Sequence, residues 1–235
     1  MKYGAIVLAV ILSAGAFASQ PLEKYASSIK DIHVKSSVES RNLDALKKIS
    51  NEFAQSYRFA GSEMYYKEPG KLKIISKAGL LDVSYIINGN TKVLQAVGIH
   101  KTIDITHSPG QRQGASAVGL LTLSFLDAMN ISSKGSTKID GHEALVYEAH
   151  YKEEPGGAYY KFFVDPARKY TVRQEQYHGD GRPKMTTRFL NPVNQKGIWV
   201  PTKTEVLNGE GTPGAVTKMQ IVGINTGLPD SLFAL

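Results

Sequence analysis

The chain has 235 residues, a formal net charge of +7 and no cysteine, so neither a disulfide framework nor lipid attachment through an N-terminal cysteine is available to it. Its 28 basic side chains are interleaved with 21 acidic ones, as in LEKY, YKEPGKLK and KTEV. They do not gather into the stripe that tracks a phosphate backbone, which argues against nucleic acid as a partner.

Residues 1–18, MKYGAIVLAVILSAGAFA, join a basic start at Lys2 to an apolar run over Gly4 to Leu12 and small residues at Ala16 and Ala18. This reads as a secretory signal peptide cut after Ala18. The run is shorter than the ~20 residues that span a bilayer. The expectation is one domain over residues 19–235, soluble in an extracytoplasmic compartment.

In the remainder, Leu22, Tyr25, Ala26 and Ile29 recur at helical spacing behind Pro21, predicting a short amphipathic helix over 21–30. DIHVKSSVES is weakly strand-like. Asn42 is placed to cap a second helix, with Leu43, Leu46, Ile49, Phe53 and Tyr57 along one side. From Phe59 the period changes to two. Turns are expected at Glu68-Pro69-Gly70 and at Asn88-Gly89, the latter because both residues tolerate the left-handed backbone of a tight hairpin. The strand series continues through IHKTIDI, GHEALVYEAHY, GAYYKFFVD, YTVRQEQY, KMTTRFL, IWVPTKTEVL and AVTKMQIVGI. A meander of roughly ten antiparallel strands must close or curl to hide its edges, so the expected fold is mainly β with helices (α+β): a strongly curved antiparallel sheet or unclosed barrel.

Residues 115–131, ASAVGLLTLSFLDAMNI, interrupt the series. Their continuous apolar character predicts a helix, entered through the loop SPGQRQG and left through SSKGS. Apolar on most of its circumference, it must be covered nearly all round, and the concave side of the sheet is the place for it. There it either packs solid or closes an apolar cavity.

Little points to catalysis. The six histidines (His33, His100, His107, His142, His150 and His178) form no H-E-x-x-H, and Ala117-Val118 after Ser116 breaks the nucleophile-elbow pattern. There is no phosphate-binding glycine loop, and Asp165 before Pro166 reads as a turn cap. The expectation is a non-catalytic protein with no cofactor and no metal.

The stretch Gly61-SEMYY-Lys67-Glu68-Pro69-GKLK, followed by strand, Asn88-Gly89 turn and strand, resembles the LolA/LolB superfamily. The later segments YYKFFVDPARKYTVRQEQYHGDGRPKMTTRFL, GIWVPTKTEVL and INTGLPDSLFAL are similar to outer-membrane lipoprotein-sorting proteins. The resemblance implies an unclosed barrel with a helical lid over an apolar concavity, and a periplasmic carrier of acylated lipoprotein or lipid. It implies an inner-membrane donor, an outer-membrane acceptor and a monomeric state. The ligand-binding residues it suggests are Leu120, Leu121, Leu123, Phe125, Leu126 and Met129 on the lid, with Leu72, Ile74, Leu81, Val83 and Tyr85 on the strands, their inward parity left open. Where the carrier's pattern has an arginine that governs lid opening, this chain has Glu68, so charge is reversed. A swapped pairing of Glu68 with Arg112, and a plain surface glutamate, are the two readings of that change. A lipid- or peptide-sensing module is the alternative to carriage.

Overall fold

The computed structural model describes residues 20–78, 81–112 and 114–235. The expected signal peptide, cut after Ala18, lies outside the described residues. Among the described residues thirteen strands form one antiparallel sheet: β1 Asp31–Arg41, β2 Gly61–Lys67, β3 Lys71–Ala78, β4 Leu81–Asn88, β5 Thr91–Ala96, β6 Ile99–Asp104, β7 Met129–Ile139, β8 His142–Tyr151, β9 Tyr159–Asp165, β10 Tyr170–Tyr177, β11 Pro183–Gln195, β12 Ile198–Asn208 and β13 Pro213–Ile224. The spatial order β6-β5-β4-β3-β2-β1-β13-β12-β11-β10-β9-β8-β7 leaves β6 and β7 as the two edges. The first six strands make one half of the sheet and the last seven the other, joined where β1 meets β13.

The sheet is curved and unclosed, and its core requires that curvature. Leu72 of β3 and Tyr170 of β10 belong to one buried cluster although five strands lie between theirs. At ~4.8 Å per step a flat sheet would separate them by roughly 29 Å. The concave side closes the distance with the help of Ile105, Ala115, Val118 and Leu120 from the connection between the edge strands. A second cluster forms around Tyr147, Tyr160 and Phe162, into which Leu121 and Leu126 pack.

The expected helix over 43–57 is two short ones, α1 Leu43–Lys47 and α2 Asn51–Ser56. Asn42 caps the first through Ala45 N at 3.1 Å, and Ser50 caps the second through Phe53 N at 3.0 Å. The break leaves the apolar side intact: Leu43, Leu46, Ile49, Phe53 and Tyr57 pack with Val206 and Ala215. The helix expected over 21–30 is only a 3-10 turn, Leu22–Tyr25. The chain is extended again by Ala26, and Ser27 N donates to Leu121 O at 2.7 Å. At the far terminus a 3-10 turn, Asp230–Phe233, lies against β3 and β4 with Phe233 fully buried.

The helix expected over 115–131 does not form. Its apolar run is divided among a 3-10 turn at Gly114–Val118, the one-and-a-half-turn helix α3 at Leu123–Asp127, and β7, whose first residue Met129 pairs with Tyr151. Gly114 and Gly119 have φ of +53° and +78°, a backbone that stops a right-handed helix. Thr122 starts a new one by accepting from Phe125 N. The SSKGS segment expected as a loop belongs to β7, where it carries a bulge between Ser133 and Ser136. Among the described residues no helix is long and apolar enough to cross a membrane.

Candidate ligand-binding site

Because β6 and β7 are opposite edges of one sheet, residues 105–128 must cross from one to the other, and they do so as a strap through the concavity. It is anchored first at Ile105, whose N donates to Asn90 O at 2.8 Å. The turn at Pro109–Gln111 follows. Next comes Arg112, which donates to Asn90 Oδ1 at 3.1 Å and Thr106 O at 3.3 Å and pairs with Glu153 at 2.9 Å. Gly114 passes so close to Tyr66 that a Cβ there would stand 2.5 Å from the ring. Beyond it, Gly119 O accepts from Thr171 N at 2.8 Å.

Glu68 holds the far end of the strap. Ser124 Oγ donates to one of its oxygens at 2.6 Å and Tyr66 Oη to the other at 2.7 Å, with Thr122 Oγ1 3.4 Å from the same phenol. Burial, reinforced by the neighbouring Glu68 carboxylate, pushes the Tyr66 phenol above the ordinary tyrosine range, so it remains a donor at physiological pH. The swapped Glu68–Arg112 pairing is therefore not made, because Arg112 is committed to Glu153. Nor is Glu68 a plain surface glutamate. It contacts the strap through the Ser124 hydroxyl, which donates to the carboxylate.

Two compartments flank the Pro109–Arg112 turn. The larger, about 320 Å³, lies between Ile49 and Phe53 of the helical pair and Tyr160, Gln174 and Met185 of the sheet, with Gly110 and Tyr151 on its wall. The smaller, about 200 Å³, lies among Pro69, Phe125, Ala128, Pro109 and Arg112, and also reaches Tyr151. Tyr151 thus borders both. Burial and the adjoining Tyr160 push its phenol far above the ordinary range, so it offers no negative charge to either space.

The expected ligand residues distribute unevenly around this geometry. Leu72, Ile74, Val83 and Tyr85 share one face through the pairs Ile74↔Tyr85 and Ser76↔Val83, and Leu72, Ile74 and Tyr85 join the core cluster. The side chain of Leu81 lies outside the described residues. Leu120, Leu121, Leu126 and Met129 are buried in packed core, whereas Leu123 is 61% exposed. Phe125 lines the smaller compartment. Ala115, Val118, Leu120 and Leu121 are buried in the two core clusters; the larger space lies beside α1 and α2, whose Ile49 and Phe53 were read only as an apolar helix side. Their signal was the unbroken i, i+3/i+4 stripe over a sheet with more inner surface than one segment covers. Among the described residues no three His, Asp or Glu side chains are grouped as metal ligands would be.

Residues 117–235, just over half of the chain, match a family model described as "Uncharacterized protein". The chain belongs to this family. No curated protein sequence matches it. Among solved structures, this family member is similar to a DUF1329 family protein from Desulfovibrio piger, with 14% identity over 91% of this chain and 92% of the other and a TM-score of 0.64. It is also similar to a candidate outer membrane lipoprotein-sorting protein domain from Vibrio parahaemolyticus (13% identity, 90% and 92% covered, TM-score 0.60). A LolA superfamily protein from Nitrosomonas europaea gives 13% identity, 91% and 94% coverage and a TM-score of 0.58. At these identities the shared property is the fold, which is that of the LolA superfamily.

Proposed function

We propose that the protein is a non-catalytic periplasmic carrier that shields the acyl chain of a lipid or lipidated protein on its way to the outer membrane. The observation that carries this reading is the pair of compartments meeting at Tyr151 on either side of one short turn, inside the concavity of a LolA-like sheet. The larger is of ligand-pocket size and is walled on one side by Ile49 and Phe53. Transfer of each methylene from water into such a space is worth about 0.8 kcal/mol, so modest enclosed length is enough to retain a chain and still release it to a competing acceptor.

Magnitudes identify the moving part. Withdrawing residues 115–121 would expose Val118, Leu120 and Leu121, at roughly 1.5–3 kcal/mol for each large side chain. The Pro109–Arg112 turn buries one ring, that of Pro109, and is otherwise held by the hydrogen bonds and ion pair of Arg112, worth about 1 kcal/mol apiece or less. Displacement of that turn joins the two compartments and leaves the core beneath 115–121 in place. The expected ligand role of Phe125 is retained in this scheme, while Leu120, Leu121, Leu126 and Met129 act as the floor that keeps the strap seated.

The test is native mass spectrometry of the full chain after incubation with envelope phospholipids and with a triacylated lipopeptide. Retained acyl species are expected in the wild type and depleted in Phe125→Asp and Met185→Asp, both half-buried positions, with circular dichroism and melting checked in parallel. Absence of any acyl adduct in the folded wild type would sink the reading.

A further inference from the structure

Between β12 and β13 the sheet opens into a fork. β13 stays paired with β1 as far as Ile224↔Ile32, and β12 stays paired with β11 as far as Ile198↔Gln195. The ladder between β12 and β13, however, runs only from Leu207↔Pro213 to Lys203↔Lys218. Beyond Lys203 and Lys218 the two strands diverge, and the far end of the gap is bridged by Lys196 Nζ donating to Ile224 O at 2.9 Å. Between these two points the facing main-chain groups have no partner in the β12–β13 ladder.

A cleft of about 390 Å³ opens at the crotch of this fork. Lys35, Lys203 and Lys218 line it together with Ser37, Thr202 and Gln220, and no carboxylate is among its lining residues. The neighbouring carboxylates stand outside it: Glu39 is 2.6 Å from Lys218 and 4.0 Å from Lys203, Glu205 is 3.8 Å from Lys203, and Glu63 is 3.2 Å from Lys35. Each lysine thus has a carboxylate partner beside the cleft, while the cleft lining itself carries none. Asn191 fixes one wall: its backbone is left-handed, φ +52°, and its carbonyl accepts from Thr202 Oγ1 at 2.7 Å.

We propose that this fork is a binding site for a phosphate group, carried either by a small phosphate ester or by a lipid headgroup. Three ammonium groups with hydroxyl and amide donors around one opening match the acceptor oxygens of a tetrahedral phosphate anion, and charge-assisted bonds of this kind are the strong ones. The site uses none of the residues around the two acyl compartments and stands whether or not those hold a ligand. Glu39 competes with the anion for Lys218 and Lys203, so its removal strengthens binding.

The experiment titrates the full chain with inorganic phosphate, followed by phosphorus NMR, and measures its co-sedimentation with vesicles of phosphatidylethanolamine with and without phosphatidylglycerol. Lys203→Met and Lys218→Met keep the aliphatic stems and are expected to weaken binding about tenfold each. Glu39→Gln is expected to tighten it, and Lys101→Met, at an exposed lysine of β6 that does not line the fork, to leave it unchanged. Binding of free phosphate with no added preference for phosphatidylglycerol vesicles assigns the site to a small ester. A vesicle preference abolished by the same two variants assigns it to a headgroup. Absence of both kinds of binding, or equal loss in Lys101→Met, overturns the proposal, because the attraction would then be that of the basic surface at large.

Discussion

At the scale of single residues, glycine decides the path of the strap. Gly114 combines φ of +53° with a Cβ direction that ends 2.5 Å from the Tyr66 ring, and Gly119 combines φ of +78° with a Cβ direction 3.0 Å from Phe189. A side chain at Gly114 meets two separate penalties, a left-handed backbone and a displaced ring whose hydroxyl is already bound to Glu68. Gly114→Ala is expected to destabilise by about 2–3 kcal/mol, read as a lower urea midpoint at unchanged slope. Gly70→Ala provides the comparison, since its φ is +65° but nothing lies within 4 Å of the added carbon; about 1 kcal/mol is expected there. Equal losses at the two sites would show that the Tyr66 contact yields freely.

At the scale of elements, the contact between Glu68 and α3 is the feature whose outline was legible and whose chemistry was not. The turn at Glu68–Gly70 and the cap at Asn42 could be read because turns and caps are local. The hydroxyl donors could not, since Ser124 is 56 residues from Glu68 and no pattern links them. The apolar run from Ala115 misled for a related reason: Ala115, Val118, Leu120 and Leu121 are apolar because the core clusters surround them, and burial on every side erases the period that separates helix from extended chain. The same misreading absorbed the start of β7. For α3, five residues long, isolated stability is negligible, so its persistence depends on Thr122, Ser124 and Leu126. Ser124→Ala and Glu68→Gln are each expected to speed amide exchange across residues 122–127 by about threefold to tenfold. Melting temperature should move little, as the packed clusters remain. Unchanged exchange in both variants would mean that Leu126 alone holds the helix.

For the whole molecule, the sheet consists of two sequence-contiguous halves that meet at β1 and β13 and are tied a second time by the strap. Alternating strands announced such a sheet, but which half would lie beside which depends on pairing across nearly the full chain, and that is invisible to local pattern. The junction is latched at one end by Asp31. Its carboxylate accepts from Thr226 N at 2.8 Å, Thr226 Oγ1 at 3.1 Å and Gly227 N at 2.9 Å, while Asn225 Oδ1 accepts from Lys30 N at 2.7 Å. Burial by itself would raise the Asp31 pKa, but these donors outweigh it and hold the group below its ordinary value. With the folded pKa lowered, the stabilisation is fully present above the unfolded value of about 3.9 and is lost as pH falls through the folded one. Asp31→Asn keeps the shape but loses the charged acceptor, and should cost about 1–3 kcal/mol at neutral pH. The difference between wild type and variant in urea unfolding is expected to stay constant from neutral pH down to about pH 5 and to narrow as pH falls below about 4. A difference that remains undiminished at the acid end would show that the latch works through its shape and not through its charge.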